Sequence, residues 1–411
     1  APEKLMIIRT VTCFFDPALH SMQDIVPTLG DFASRAVRAI EEHGFTVQTC
    51  RLATAPLAGW AASNQPDQIV DLACKLETFS RQHGFSYLSL GPALPDSPES
   101  FLVIPAVLAA TENVFLTGIM TTPNRQVSLP TVRACGKIIS QVSSLRADGF
   151  TNLRFCALAN VPPGGPFLPA AYQAAGSPPA YDLRVECAAT ILEEFSQAAT
   201  LAKARTNLLA VLEDAAGRIA SALEPLAIEY GLHFNGFDFS TAPYPQDWCS
   251  VGSAMERLGV STLGLQGSLA AAAFLADTLD RGAWKRAGFN GLMLPVLEDA
   301  CLASRSAQGT LTVKDLLLFS TICGTGLDTV PLPGDSTPEQ ISALLLDVAA
   351  LSLRLNKPLT ARLMPMPGKK AGDSIEFDFE FFANGRVMAL EAQALAGLLS
   401  GQEALEINSR G

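Results

Sequence analysis

Strand-like apolar runs alternate with helix-patterned stretches along most of this chain, and few folds accept that order. "LMIIRTVTCFF" (5–15), "FTVQTCRLA" (45–53), "FSYLSLGPALP" (85–95), "NVFLTGIMTTP" (113–123) and "LRFCALANVPPGGP" (153–166) read as buried strands that end in Gly/Pro-rich turns. Helical patterns at 25–44, 66–84 and 129–149 lie between them, and each finishes at a glycine placed as a helix C-cap. Strand, loop, helix, repeated, predicts a parallel α/β architecture. An Ala-rich helical segment spans about 189–231, with a break expected at Glu224–Pro225, and the alternation then resumes to about residue 390. No short repeat or low-complexity linker divides the chain, so a single α/β body over 1–411 is the economical reading.

Composition limits what such a body does. With 411 residues, 48% hydrophobic and 17% charged, there is material for a large core and little to support disorder. A net charge of −11 and the lack of any Lys/Arg-rich run argue against nucleic acid or an anionic membrane as partner. A small molecule or another protein fits better, with a homo-oligomer a further option. No basic leader pattern and no uninterrupted apolar run of ~20 residues occurs, so a cytoplasmic location is expected. The nine cysteines are scattered without a CxxC pair, which excludes zinc-ribbon spacing and suits buried free thiols.

Ligands of parallel α/β folds gather beyond the carboxyl ends of strands. Five stretches are candidates on that rule: "NVPPGGPFLPAAY" (160–172), "DFSTAPYP" (238–245), "LQGSLAAA" (265–272), "PVLEDA" (295–300) and "CGTGLD" (323–328). Glu298 and Asp299 are adjacent carboxylates able to act as general acid or base, or as helix first-turn acids. Cys323 with Gly324, Gly326 and Asp328 is either an exposed nucleophilic turn or a helix C-cap. Neither a P-loop nor a GxGxxG spacing is present, so no nucleotide cofactor is predicted. Arg9, Arg51 and Arg125 recur in or after early strands, and a buried arginine there needs an anionic partner. That partner is a ligand or a protein carboxylate such as Glu376 or Asp378.

The segments "IIRTVT", "ANVPPGGPFLPAAY" (159–172), "FDFSTAPYP" (237–245), "MERLGVSTLGLQGSLAAAA" (255–273), "LPVLEDACLA" (294–303), "ICGTGLDTVPLPGD" (322–335) and "DFEFFANGRVM" (378–388) resemble the family known as domain of unknown function 711. The resemblance covers most of the chain in order. It implies a fold similar to pyruvate formate-lyase: a ten-stranded α/β barrel with helices outside, two parallel half-barrels set against each other, and a loop inserted inside. Glycyl radical chemistry is not implied, because "NGRVMAL" carries Gly385 before Arg386 and no glycine after it. The matching motifs favour Glu298, Asp299, the turn from Cys323 to Asp328, and Asp238. Gln266 stands before Gly267 where shorter relatives carry histidine, so a histidine-dependent step is not expected there.

One further stretch, "IEFDFEFF" (375–382), alternates Phe377, Phe379 and Phe381 with Glu376, Asp378 and Glu380. As a strand in a barrel wall it would pack its aromatics outward under helices and turn its acids inward, roughly 7 Å apart. Glu376 and Asp378 are then candidate ligands for a divalent cation, and Arg9, Asp238, Gln266, Gly324 and Gly326 candidate ligand contacts. The expected function is a non-radical enzyme acting on a small polar or anionic metabolite by carboxylate acid/base chemistry. A non-catalytic protein that senses a metabolite or metal in the same cavity is the alternative.

Overall fold

The computed structural model describes residues 6–57, 65–322 and 324–410. It is a mixed α/β structure with one large central sheet. The strands in chain order are β1 (Ile7–Phe15), β2 (Thr46–Thr54), β3 (Tyr87–Ala93), β4 (Val114–Ile119), β5 (Gln126–Ser128), β6 (Phe155–Ala159), β7 (Ala180–Glu186), β8 (His233–Asp238), β9 (Gly326–Pro333) and β10 (Leu359–Met366). Nine of these form the sheet, in the order β8-β7-β1-β2-β3-β4-β6-β10-β9, which is not closed by hydrogen bonds.

Its directions divide it. β1, β2, β3, β4 and β6 are mutually parallel, β7 and β8 run antiparallel to them on one side, and β10 and β9 do so on the other. The parallel order read from the alternation alone is therefore corrected to two opposed sets. An irregular stretch, 286–296, makes a parallel bridge from Arg286 to Phe237 on β8 and another from Pro295 to Asp328 on β9, so one segment touches both edge strands.

The two faces of the sheet bury different partners. Val11, Cys13 and Phe15 of β1 join Leu29, Phe32 and Ala36 of the helix Met22–Glu42 in the main core, as an amphipathic helix over a buried strand requires. On the other face Phe14, Ala53, Phe115 and Ala180, from four strands, pack against Leu168 and Ala171. Cys156 and Leu158 of β6 pack there against Phe167 and Ala170. "NVPPGGPFLPAAY" thus folds back onto this second face of the sheet. Ser89 Oγ donates to the Ala171 carbonyl at 2.7 Å, and the Gln173 amide donates to the Thr54 carbonyl at 3.0 Å.

The Ala-rich region forms helices Ala188–Gln197 and Leu201–Tyr230. Its break falls at 198–200, not at Glu224–Pro225, because Thr200 caps the second helix by accepting from the Lys203 amide at 3.2 Å. Pro225 is tolerated on the exposed side, where the carbonyl it leaves free, that of Ser221, meets water. Near the end of the chain β11 (Ser374–Ile375) pairs with β12 (Gly385–Arg386), and β13 (Ala404–Glu406) pairs with β5. Among the described residues no helix is long and apolar enough to cross a membrane.

Candidate functional site

Two irregularities in the sheet bring charged side chains to one cavity. Between β1 and β7 the register slips from Ile8↔Val185 to Thr10↔Arg184, so Arg9 and Thr10 both lie opposite Arg184. Between β9 and β10 it slips from Ala361↔Leu327 to Leu363↔Val330, with Thr329 at φ 42°. A β-branched residue in that region is strained by about 1–3 kcal/mol, and the bulge sets Asp328 against Arg362.

The result is a chain of buried ion pairs. Arg9 donates to Glu186 at 2.7 Å and to Glu298 at 3.1 Å, and also to the Pro243 carbonyl at 3.1 Å. Arg362 donates to the second oxygen of Glu298 at 2.9 Å and to Asp328 at 2.6 Å. Burial alone would lower both guanidiniums, but Glu298 and Glu186 hold Arg9 above its ordinary value, and Asp328 and Glu298 do the same for Arg362. Burial pushes the Asp328 carboxyl up against the pull of Arg362, and its other oxygen has no partner among the described residues.

Arg51 and Arg184 are different. Both reach the same cavity of about 480 Å³, which Arg9, Arg362 and Glu298 also line. Among the described residues neither has a carboxylate within ion-pairing distance. Arg51 donates through Nε to Thr49 at 3.1 Å and lies over the Tyr87 ring at 5.5 Å. Arg184, only 3% exposed, has no acceptor at Nε, turns one NH2 toward the Met293 sulfur at 2.6 Å, and lies over Phe167 at 4.6 Å. Burial first, then the neighbouring guanidinium of Arg9, pushes Arg184 down to about 10. Burial, Arg9 and Arg184 push Arg51 down to about 9. Both stay charged at neutral pH, so the lining sets four guanidiniums against the carboxylates of Glu298 and Glu380. A larger depression, about 770 Å³, lies on the outside by helix Val313–Ile322, but the convergence of four guanidiniums singles out the smaller one.

The position of the cavity departs from the carboxyl-end rule. Ile7 pairs with Glu186 and Arg51 with Tyr87, so the cavity lies toward the amino ends of β1 and β3 and the carboxyl end of β7. Two opposed sets of strands make both statements true of one place.

The predicted residues separate accordingly. Glu298 enters the cavity. Its neighbour Asp299 turns away to cap helix Ala300–Ala307, accepting from the amides of Leu302 at 3.0 Å and Val251 at 2.7 Å and from Ser250 Oγ at 2.7 Å. Asp238 is saturated by Ser240 and by the amides of Phe289 and Asn290. Gly324 and Gly326 are needed for close packing: a Cβ on Gly326 would meet the Thr360 carbonyl at 2.1 Å. Gln266 is exposed ahead of helix Ser268–Asp280, and Arg125 is exposed and bonded to Asn356. Cys323 lies outside the described residues.

The acidic stripe is reversed. Only Ser374 and Ile375 of that stretch are in a strand. Phe377, Phe379 and Phe382 pack with Leu297, Met364 and Met366, Phe381 meets Arg9 at 5.7 Å, and Glu376 and Asp378 are exposed. Burying three aromatic rings releases more free energy than sheltering carboxylates, which sends Glu376 and Asp378 outward, while the exposed Glu380 adjoins the cavity. Among the described residues no three His, Cys, Asp or Glu side chains converge as metal ligands would. The residues that sequence reasoning missed are Arg184, Glu186 and Arg362. A signal for two of them was present in "AYDLRVE", where Asp182, Arg184 and Glu186 alternate with Tyr181, Leu183 and Val185 on a true strand.

Fold and site together define a mixed α/β protein with an arginine-rich internal cavity. The chain belongs to the family described as Uncharacterised ACR (DUF711), whose model matches residues 2–383. It is similar to a UPF0210 protein of Syntrophobacter fumaroxidans, 28% identical over 90% of this chain and 88% of that one. A UPF0210 protein of Pyrobaculum arsenaticum is 29% identical over 92% and 86%. Another from Pyrobaculum aerophilum is 33% identical over 60% and 56%.

Proposed function

We propose that this protein is an enzyme that binds a small anionic metabolite on Arg51 and Arg184 and uses Glu298 for proton transfer. The observation that carries the reading is the pair of guanidiniums that lack acidic partners among the described residues, in a cavity of metabolite size. A buried cation without a counter-charge costs several kcal/mol, a cost that an anionic ligand removes. Glu298 faces the same space, and each of its oxygens accepts one guanidinium N–H and keeps a second lone pair. On this reading the body closes as a ten-stave barrel, with 286–296 as the tenth stave; its bridges to β8 and β9 support that.

Incubating the purified chain with a panel of small carboxylates and phosphates, followed by NMR, tests the proposal. Conversion of one compound is expected, falling at least ~100-fold in E298Q while binding persists. Conversion unaffected in E298Q would overturn the role of Glu298. A second reading, a metabolite sensor, is favoured by the engagement of both Glu298 oxygens in ion pairs with Arg9 and Arg362, which gives the carboxylate a structural task. A compound that binds and is recovered unchanged supports that reading.

A further inference from the structure

The cavity is lined by guanidiniums and aromatic rings together, and the combination specifies a class of ligand. Arg51 and Arg184 belong to β2 and β7. Arg51 lies over Tyr87, its cross-strand neighbour, and Arg9 over Phe381. Tyr87 and Phe115 meet edge to face at 5.5 Å, and Phe379 and Phe381, on the irregular segment after β11, lie 5.3 Å apart. Phe381 also meets Tyr244 edge to face at 5.7 Å. Tyr87, Phe379 and Phe381 are only half-buried although each is large and apolar, so the cavity leaves ring surface for a ligand to cover.

Of the polar side chains beside these rings, Thr49 donates to the Arg9 carbonyl at 2.9 Å and accepts from Arg51, and Gln48 donates to Glu186 at 3.4 Å. Glu380, between Phe379 and Phe381, adds a carboxylate to the lining. A polyhydroxylated ligand would exchange its water for aromatic carbon over most of this wall, losing hydrogen bonds. A flat apolar body gains from the same wall by area and by stacking, while its acid group meets the guanidiniums as a forked ion pair.

We propose that the ligand is a carboxylic acid with a flat apolar body, aromatic or conjugated, rather than a sugar phosphate or a short aliphatic acid. The acid group sits on Arg51 and Arg184, and the body lies against Tyr87, Phe115 and Phe381. This rests on the anion-binding reading of the cavity and adds the identity of the remainder of the molecule.

Calorimetric titration with 3-phenylpropanoate, acetate and glycerol 3-phosphate separates the two layers. The aryl acid is expected to bind at least about tenfold more tightly than either competitor. Phe381→Ala should weaken the aryl acid about fivefold or more and leave acetate unchanged, and Arg184→Met should weaken both carboxylates. Phe381→Leu, which keeps an apolar side chain, guards against loss of fold and should give an intermediate effect. Tighter binding of glycerol 3-phosphate or acetate than of the aryl acid overturns the aromatic-acid inference and leaves the anion reading standing. Aryl-acid binding that survives Arg184→Met and Arg51→Met unchanged overturns the anion reading itself, and no binding of any probe overturns both.

Discussion

Arg362 and Arg184 reach one cavity from β10 and β7, yet their surroundings are opposite. Arg362 is held by Glu298 and Asp328, and the attraction of those acids outweighs the cost of burying it. Arg184 is as deeply buried and has no acidic partner among the described residues, so its guanidinium is pushed down instead of up. Arg9 resembles the first and Arg51 the second. A buried arginine whose charge is answered within the chain acts as structure. One whose charge is left unanswered keeps a place for something from outside.

Removing Arg362 gives the sharpest break in this comparison. Arg362→Met strands Asp328 in the interior and leaves Glu298 with Arg9 alone, and a loss of roughly 3–5 kcal/mol is expected in urea denaturation. A loss below about 1 kcal/mol would mean that the ion-pair chain is not structural. Arg184→Met should behave otherwise: the folded state loses an uncompensated charge, so its thermal midpoint should hold or rise. A marked fall would place Arg184 with the structural arginines.

The smallest effect concerns Asp182, the other charged neighbour on β7, both of whose oxygens lack partners among the described residues. Burial, then Asp238, pushes its carboxyl well up, against a weaker opposing pull from Asn235. A raised folded value means that the folded state holds the proton more tightly than the unfolded chain. The stability it contributes is therefore complete below the ordinary carboxylate value of about 3.9 and is lost as pH rises toward and through the folded value. Asp182→Asn should flatten the fall in the urea midpoint between about pH 5 and pH 8, and an unchanged slope would place the titration elsewhere.

Much of the fold was legible, because the runs that became β1 to β4 and β6 are apolar enough to mark themselves and their helices end at glycines. The direction of β7 to β10 was not, since strand polarity is set by pairing partners distant in sequence. Glu298, picked out from its motif, lines the cavity, and Asp299 beside it, given the same candidate chemistry, caps a helix; only the turn of one residue separates the two positions. The two period-two charge patterns teach the same point. "YDLRVE" and "IEFDFEFF" look alike as text, but the first is paired on both sides, by β1 and β8, in a sheet that fixes its alternation, and the second follows a two-residue strand and folds its rings inward. Alternation predicts facing only where a strand exists.

The central claim is that Arg51 and Arg184 await an anion. Thermal melts of the wild-type chain and of the doubly substituted R51M/R184M chain, in millimolar small carboxylates and inorganic phosphate, test it most directly. The wild type should gain about 2 °C or more with at least one of these anions, and the double variant should not respond. An equal gain in both chains, or none in the wild type, would contradict it.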